Sequence, residues 1–598
     1  MDRSVGAALR RRVSRARRTA RRVGRAVRRP GGADVLERRA LPLLAVGTAL
    51  LLTVLFYYPV ATVLVESVRE AGRLTFGPLV DVLTDEFYVV RVFGFTAWQA
   101  FLSTLASVAL GLPGAWVLAR FDFRGRETLK SLTMVPFVLP SVMVAVGFYA
   151  TFGASGTLND ALGALGVGGV DLLPSLGAII VAHAFYNAPL VTRVVTASWE
   201  SVDAGAVETA RSLGASPRRA FRDVVLPQLL PAVLMGATLT FVFTFASFPI
   251  VLALGGFQYA TVEVFIYSAV QQLDYAEAAA LAAVESAVSL TLTALYLRYE
   301  RRQTAERRDV RPLPRERLVP ESWRSAAAWT RERLVSRLAV AGYAAVVVVV
   351  FLGPILSMIY ASLTVDGQFT LSAYRFLLRR QVSGAAFQVR PLPAVLNSLA
   401  FGVATLAVAL PMGVSMAVLT TRRFRGRVAL DALSMAPLAV SGIVVGLGLL
   451  RGLVFGVEAF GYRFSASGPA AIVAAHAVAA YPFVVRNVSP GLDGLDRTLV
   501  ESARSLGASR VRALLDVELP LVWPGVVAGA AFAFALSVGE FDATVILAEG
   551  GNVYTMPVAV ERYIGRRLGP ATAMGTVLLA VTAASFVVIE RVGGGFRG

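Results

Sequence analysis

The sequence predicts an all-α polytopic membrane protein with about twelve transmembrane helices, arranged as two parallel six-helix repeats. Three observations predict it. Of 598 residues, 56% are hydrophobic and 16% charged, where soluble domains run to about half and a quarter. Twelve apolar runs approach the ~20 residues that a spanning helix requires. A 25-residue polar segment of the first half recurs, little changed, in the second.

The elements follow in order. Residues 1–40 form a basic tail of net charge +11, and residues 298–337 form a linker of net charge +6, so two segments hold +17 of the chain's +19. Each precedes a long apolar run, beginning at Leu41 and at Leu338, as expected where Arg-rich segments are retained on the cytoplasmic side. The tail has no aromatic residue, whereas a nucleic-acid face interleaves aromatics with Arg. Its basicity therefore reads as an orientation signal, with no nucleic-acid partner. The like-charge run and scarce large apolar side chains predict disorder and contact with membrane lipid. The apolar run 41–65 is too long for a secretory-signal core and has no small-residue cleavage site, so it reads as a retained helix.

The first unit, 41–297, has candidate spans at 41–65, 93–119, 131–153, 174–197, 228–254 and 276–297. The second, 338–591, has them at 338–363, 394–420, 429–455, 469–490, 521–548 and 568–590. With the N-terminus cytoplasmic, the cytoplasmic connections include 200–227 and 490–520. Asp160 and Asp171 fall in one external connection, Glu263 and Asp274 in another. The segment 366–390, carrying Arg375, Arg379, Arg380 and Arg390, fits this topology poorly.

Setting Val207–Pro231 against Val500–Pro524 gives 16 identities in 25 positions at a constant offset of 293. The same offset pairs His183 with His476, Arg193 with Arg486, Asp203 with Asp496 and Phe248 with Phe541. Upstream, the run from Phe123 to Arg126 recurs from Phe424 to Arg427. Six spans per copy put both copies the same way up, related by an axis along the membrane normal. Each repeated segment reads as two short helices with a turn. Asp203 and Asp496 are N-caps; Val207, Ala210 and Leu213, like Val500, Ala503 and Leu506, form an apolar stripe. Gly214 and Gly507 stop the first helix with positive φ, and Ser216 or Ser509 caps the next. The result is an amphipathic cytoplasmic elbow suited to docking.

Several chemistries are excluded. Cysteine is absent and lysine occurs once, as Lys130 after Leu129, so the Gly-Lys-Ser/Thr of a phosphate-binding loop cannot be built. Two histidines leave no zinc motif. No catalytic residue, bound cofactor or metal site is expected, and the chain does not read as an enzyme. His183 and His476 read as buried, hydrogen-bonded helix residues.

The repeated segment resembles the EAA loop of ATP-binding-cassette (ABC) importer permeases. Glu208, Ala210, Gly214, Leu226 and Pro227 match the motif in copy one; Glu501, Ala503, Gly507, Leu519 and Pro520 match it in copy two. Thr209 and Ser502 stand where a first Ala is usual. The resemblance covers both units and leaves out the tail and linker. It implies a type I importer fold with EAA loops at 200–227 and 490–520 that couple to two copies of a separate ABC ATPase subunit, which uses the ATP. It also implies an external solute-binding protein and a place in the plasma membrane of a prokaryote. The alternative from composition alone is a secondary transporter driven by an ion gradient.

Fused permeases with two such loops resemble the thiamine and iron(III) group. The run Ala246 to Gly256 and the residues Thr261 to Tyr267 look like thiamine permeases. Ser537 to Thr544 follows a pattern also found in iron, molybdate and sulfate permeases; polyamine is a further alternative substrate. Glu540 and Asp542 lie inside an apolar run, where carboxylates mark functional sites, and they favour a cationic solute. Ser247, Phe248 and Phe541 join them as candidate pathway residues, the aromatics able to stack on a cationic ring.

Overall fold

The computed structural model describes residues 33–70, 72–305, 311–318, 331–365, 367–378, 390–422, 426–459, 461–548, 553–564 and 566–594. Residues 1–32 of the expected tail, Phe424 and Arg425 of the recurring motif, and Arg379 and Arg380 lie outside the described residues. Among those described, ten helices are long and apolar enough to cross a membrane, and two bent helix pairs raise the number to twelve. The first helix, Ala33–Leu52, begins before the expected boundary at 41. Ala, Leu, Glu and Arg are strong helix formers, so the segment need not wait for the apolar run.

The first unit contains spans at Leu43–Glu66, Phe87–Arg120, Ser141–Ala164, Leu176–Trp199, Pro217–Phe245 and Tyr275–Glu300. The expected run 131–153 is broken: Arg126–Val138 stops before Pro140, and Ser141–Phe152 begins the third of these spans. Proline biases its predecessor away from the helical region, and Leu139 is extended at φ −72°, ψ 143°. The second unit repeats the plan with Leu334–Leu363, Pro391–Thr421, Gly468–Asp493 and Leu568–Ile589. Between these lie two bent pairs. Arg427–Ala439 meets Gly442–Val454 at 95°, and Arg510–Leu521 meets Trp523–Gly539 at 73°.

The runs 228–254 and 521–548, expected as continuous spans, are also interrupted. Helix Leu226–Phe245 ends and Pro249–Gly255 restarts; Trp523–Gly539 ends and Asp542–Leu547 restarts. Pro249 has no N–H to bond to the preceding turn, which suits it to a helix start. In the second unit the Glu540 carboxylate accepts the N–H groups of Ala543 and Thr544 at 2.7 and 3.1 Å, capping the new helix.

Each unit packs its second and fourth spans closely. Gly111 lies against Ala188 and Val191, and Gly413 against Tyr481 and Val484; small residues let backbones approach in this way. The first span of each unit lies on the other unit. Tyr57 donates its hydroxyl to the Leu433 carbonyl at 2.7 Å, Pro59 packs on Gly448, and Glu66 pairs with Arg451. Reciprocally, Tyr343 meets Thr133 at 3.0 Å and Pro354 packs on Gly147. The two units are thus interlocked.

The segment that fits the charge pattern poorly has a counterpart in copy one. The hairpin Thr364–Val365/Gln368–Phe369 and helix Ser372–Leu378, which carries Arg375, repeat the hairpin Arg69–Glu70/Arg73–Leu74 and helix Gly77–Thr84. Glu263 corrects another expectation. It is not in an exposed external connection: it sits on the helix Val262–Gln271 at 1% exposure. That helix has ten residues, too few to span, and packs within the bundle core.

Candidate functional site

The two repeated elbows form by the same local chemistry in both copies. Asp203 is extended and accepts the Gly205 N–H at 2.9 Å, starting helix Ala204–Ser212; Asp496 accepts the Thr498 N–H at 2.9 Å, starting Arg497–Ser505. The bond to Thr498 holds the Asp496 carboxyl below its ordinary value of 3.8. The helices stop at Gly214 and Gly507, with φ of +88° and +87°. An L side chain there is strained by its own backbone; nothing else lies within 4 Å of a Cβ at either position. Ser216 and Ser509 then accept the N–H groups of Arg219 and Arg512 at 3.3 and 3.1 Å.

A single π-helical turn follows in each copy, Phe221–Val225 and Leu514–Glu518. Leu226 with Pro227, and Leu519 with Pro520, then open the return to the membrane. Ala210 and Ala503 are half-covered and Glu208 and Glu501 exposed. At the tips, Leu213 is 83% exposed and Leu506 88%.

The candidate pathway residues gather where the helix breaks meet. Phe248 and Phe541 are both buried and stack with centroids 5.5 Å apart at 21°. They occupy equivalent positions in the two copies, so their contact marks the pseudo-two-fold axis. Pro140 packs on Gly539, and Asp542 on Gly442, which brings the four interrupted spans to this one place. Ser247 binds His183 Nε2 at 2.8 Å, while the Gln99 amide donates to His183 Nδ1 at 2.8 Å. His476 is likewise buried, against Ser537 and Thr544 at 2.8 Å each and Glu540 at 3.1 Å. Glu540 is therefore engaged by its own chain, as a helix cap and as the partner of His476. Asp542 begins the helix Asp542–Leu547 and remains partly uncovered.

Two acidic residues that sequence reasoning did not single out belong to this region. Glu263 is buried, with the Ser441 side chain acting on its carboxylate as a hydrogen-bonding group. Glu285, 0% exposed, accepts the Ser289 hydroxyl at 2.7 Å. The charged groups acting on Glu263 are Glu285 and Asp542, both acidic. In copy two the equivalent positions carry Pro557 and Leu578, so these carboxylates are not required by the shared fold. Glu285 had a readable signal, an acidic residue within an expected span. Glu263 had none, because its short helix resembles a connection.

Residues 111–304 and 409–596 match the family model described as binding-protein-dependent transport system inner membrane component. The chain is 28% identical over 509 residues to the thiamine transport system permease protein of Brucella abortus, covering 84% of this chain and 88% of that protein. It is 29% identical over 520 residues to the protein of the same description from Salmonella typhimurium, covering 85% and 90%. A sulfate transport system permease protein of Salmonella typhimurium is 31% identical over 263 residues, 43% of this chain and 92% of its own length. A solved bacterial ABC transporter involved in import of the acidic polysaccharide alginate covers 46% of this chain and 99% of its own, with a TM-score of 0.38 and 16% identity.

Proposed function

We propose, on the premise that the chain belongs to the binding-protein-dependent transport system inner membrane component family, that this ABC importer permease moves thiamine or a closely related organic cation. The solute would come from an external binding protein and enter the cytoplasm, driven by two copies of a separate ABC ATPase subunit docked on the two elbows. The N-terminus would be cytoplasmic. What carries the reading is one mechanical connection made twice. Helix Leu226–Phe245 runs from the first elbow to Ser247 and Phe248; beyond the second elbow, Trp523–Gly539 runs to Glu540 and Phe541.

At 1.5 Å per residue, the 20-residue first helix is a rod of about 30 Å. A displacement of Leu213 and Leu506 by a closing ATPase pair is thereby delivered to the Phe248–Phe541 stack. Drawing the elbows together moves the two rods against one another, and the interrupted spans turn at their breaks, where no continuous helical hydrogen bonding resists. Parting the aromatic rings opens the axis; restacking closes it.

Support for a cation comes from charge. Glu285 and Asp542 are the charged groups acting on Glu263, and no basic side chain is among them. A passing cation would find carboxylates without a basic partner there, and the two phenyl faces can take a cationic ring. The names of the long relatives favour thiamine over iron(III).

The test is uptake into proteoliposomes holding the chain, its ATPase subunit and its external binding protein. Thiamine should bind the external protein and be taken up on ATP addition, and ferric iron should not. Asp542→Asn should slow thiamine uptake about tenfold or more, the kinetic worth of ~1.4 kcal/mol, while ATP hydrolysis persists. Binding of ferric iron alone would overturn the substrate, and full uptake by the Asp542 variant would overturn the role of the carboxylate.

A further inference from the structure

The linker between the units is not a loose tether where it is described. Residues 311–318 run along the cytoplasmic face of the first unit and hold the N-terminal end of its elbow. The Ala204 N–H donates to the Arg311 carbonyl at 2.9 Å, and Asp203 pairs with Pro312 in an antiparallel bridge. The Arg311 guanidinium pairs with Glu208, a residue of the docking motif. Arg315 binds Glu200 at 2.7 Å, on a carboxylate that Arg126 also holds at 2.8 Å. Further on, Glu316–Arg317 pairs in parallel with Phe121–Asp122, and the Leu318 N–H donates to the Asp122 carbonyl at 3.0 Å. Leu318 is buried, and Leu313 packs on the cluster of Trp199, Val202 and Val225.

No counterpart of this strap lies on the second elbow among the described residues: there the helix Ala33–Leu52 packs against Arg510–Ala513, Arg422 binds Glu518 at 2.6 Å, and Glu501 has no ion pair. The two elbows share their caps and their glycine turns, yet differ in what covers them. Glu208 has its charge met by Arg311; Glu501 presents its charge to solvent.

We propose that segment 311–318 is a strap that forms part of the first ATPase-docking surface and stays seated through the transport cycle. One ATPase copy meets Glu208 together with Arg311 and Pro312, and the other meets the second elbow with Glu501 unpaired. This rests on the docking role of the elbows. Backbone pairing and two covered leucines, rather than the exposed ion pairs, keep the strap in place, since exposed pairs contribute little. Two equal ATPase subunits thereby bind a chain with unequal seats.

The chain has no native cysteine, so an introduced pair reports alone. Asp122 and Arg317 are exposed cross-strand partners, at a separation a disulfide can bridge. In the full chain, D122C with R317C should oxidise readily. The locked form should retain ATP-driven uptake within about twofold of its reduced form, and loss of uptake on locking alone would make the strap a lid that must leave. In the same background, Arg311→Glu should weaken nucleotide-free binding of one ATPase equivalent about tenfold and leave the other unchanged. An unaltered curve, or equal weakening of both sites, overturns the unequal seats. Disulfide formation in that variant verifies that the strap still folds onto the elbow. If Gly214→Ala and Gly507→Ala leave ATPase binding intact, the docking role itself fails, whatever the strap does.

Discussion

Replacing Gly214 or Gly507 by Ala tests the elbows with a single methyl group. Both glycines have φ near +88°, and nothing stands within 4 Å of the new Cβ. Any effect must therefore come from backbone strain and not from a clash. Holding an L residue in the left-handed region costs roughly 1–2 kcal/mol, so the population of elbows in the docking geometry falls by about 5- to 30-fold at that cost. Among the described residues the two elbows do not pack on one another, and distant sites combine additively. Each single variant should then weaken one ATPase site and the double variant both, so that only the overall constant for binding two copies falls by about the product of the single losses. The assay is titration of labelled ATPase subunit onto the chain in nanodiscs, with uptake measured in parallel. Gly214→Asn is the control, because Asn tolerates the left-handed region better than Ala; it should retain most of the affinity. Equal damage from Asn and Ala would refute the reasoning, since conformational strain would then not be the cause.

Phe248→Ala and Phe541→Ala should each lower thermal stability, with a double-mutant coupling of about 0.5–1.5 kcal/mol for the stacked pair; additive losses in thermal melts would mean that the rings do not support each other. Gly111→Leu should prevent close approach of Phe95–Arg120 to Leu176–Trp199 and abolish recovery of the folded chain in detergent, as read by size-exclusion chromatography; a monodisperse, transport-active variant would contradict the packing. The Asp496 cap gives a pH dependence with a fixed sign. Its carboxyl is held below 3.8 in the folded elbow, so the stabilisation is complete above the unfolded value and is lost only as pH falls through the lower folded value. Hydrogen exchange in Arg497–Ser505 should rise more below pH ~3.8 in the parent than in Asp496→Asn, whose amide oxygen caps without titrating.

Much of this molecule was legible in its sequence, for identifiable reasons. The elbows were readable residue by residue because their shape is local: Asp203 and Asp496 cap, Gly214 and Gly507 turn, Ser216 and Ser509 cap again, and duplication made the pattern unmistakable. The interruptions at Leu139 and Ser247 left a trace in Pro140 and Pro249 that hydropathy does not register, and those at Val440 and Glu540 left none of that kind. Apolar residues continue on both sides, so hydropathy registers one span where the backbone makes two helices. The burial of Glu263 depends on which helices cover Val262–Gln271, which is a tertiary matter. The strap was hidden because pairing of two-residue strands leaves no periodic trace, and an Arg-rich linker reads as solvated chain.

The uneven placing of the axial carboxylates has a consequence for ancestry and engineering. A permease assembled from two copies of one six-helix chain must repeat every acidic group across its dyad, so a single-sided charge is forbidden to it. Joining the copies into one polypeptide lifts that restriction. Glu263 and Glu285 can reside in one half while Pro557 and Leu578 occupy the other, and each half is free to mutate without its twin. Splitting the chain at the linker and pairing two first halves would double the buried charge around the axis, so the chain's own history of divergence has made its halves no longer interchangeable.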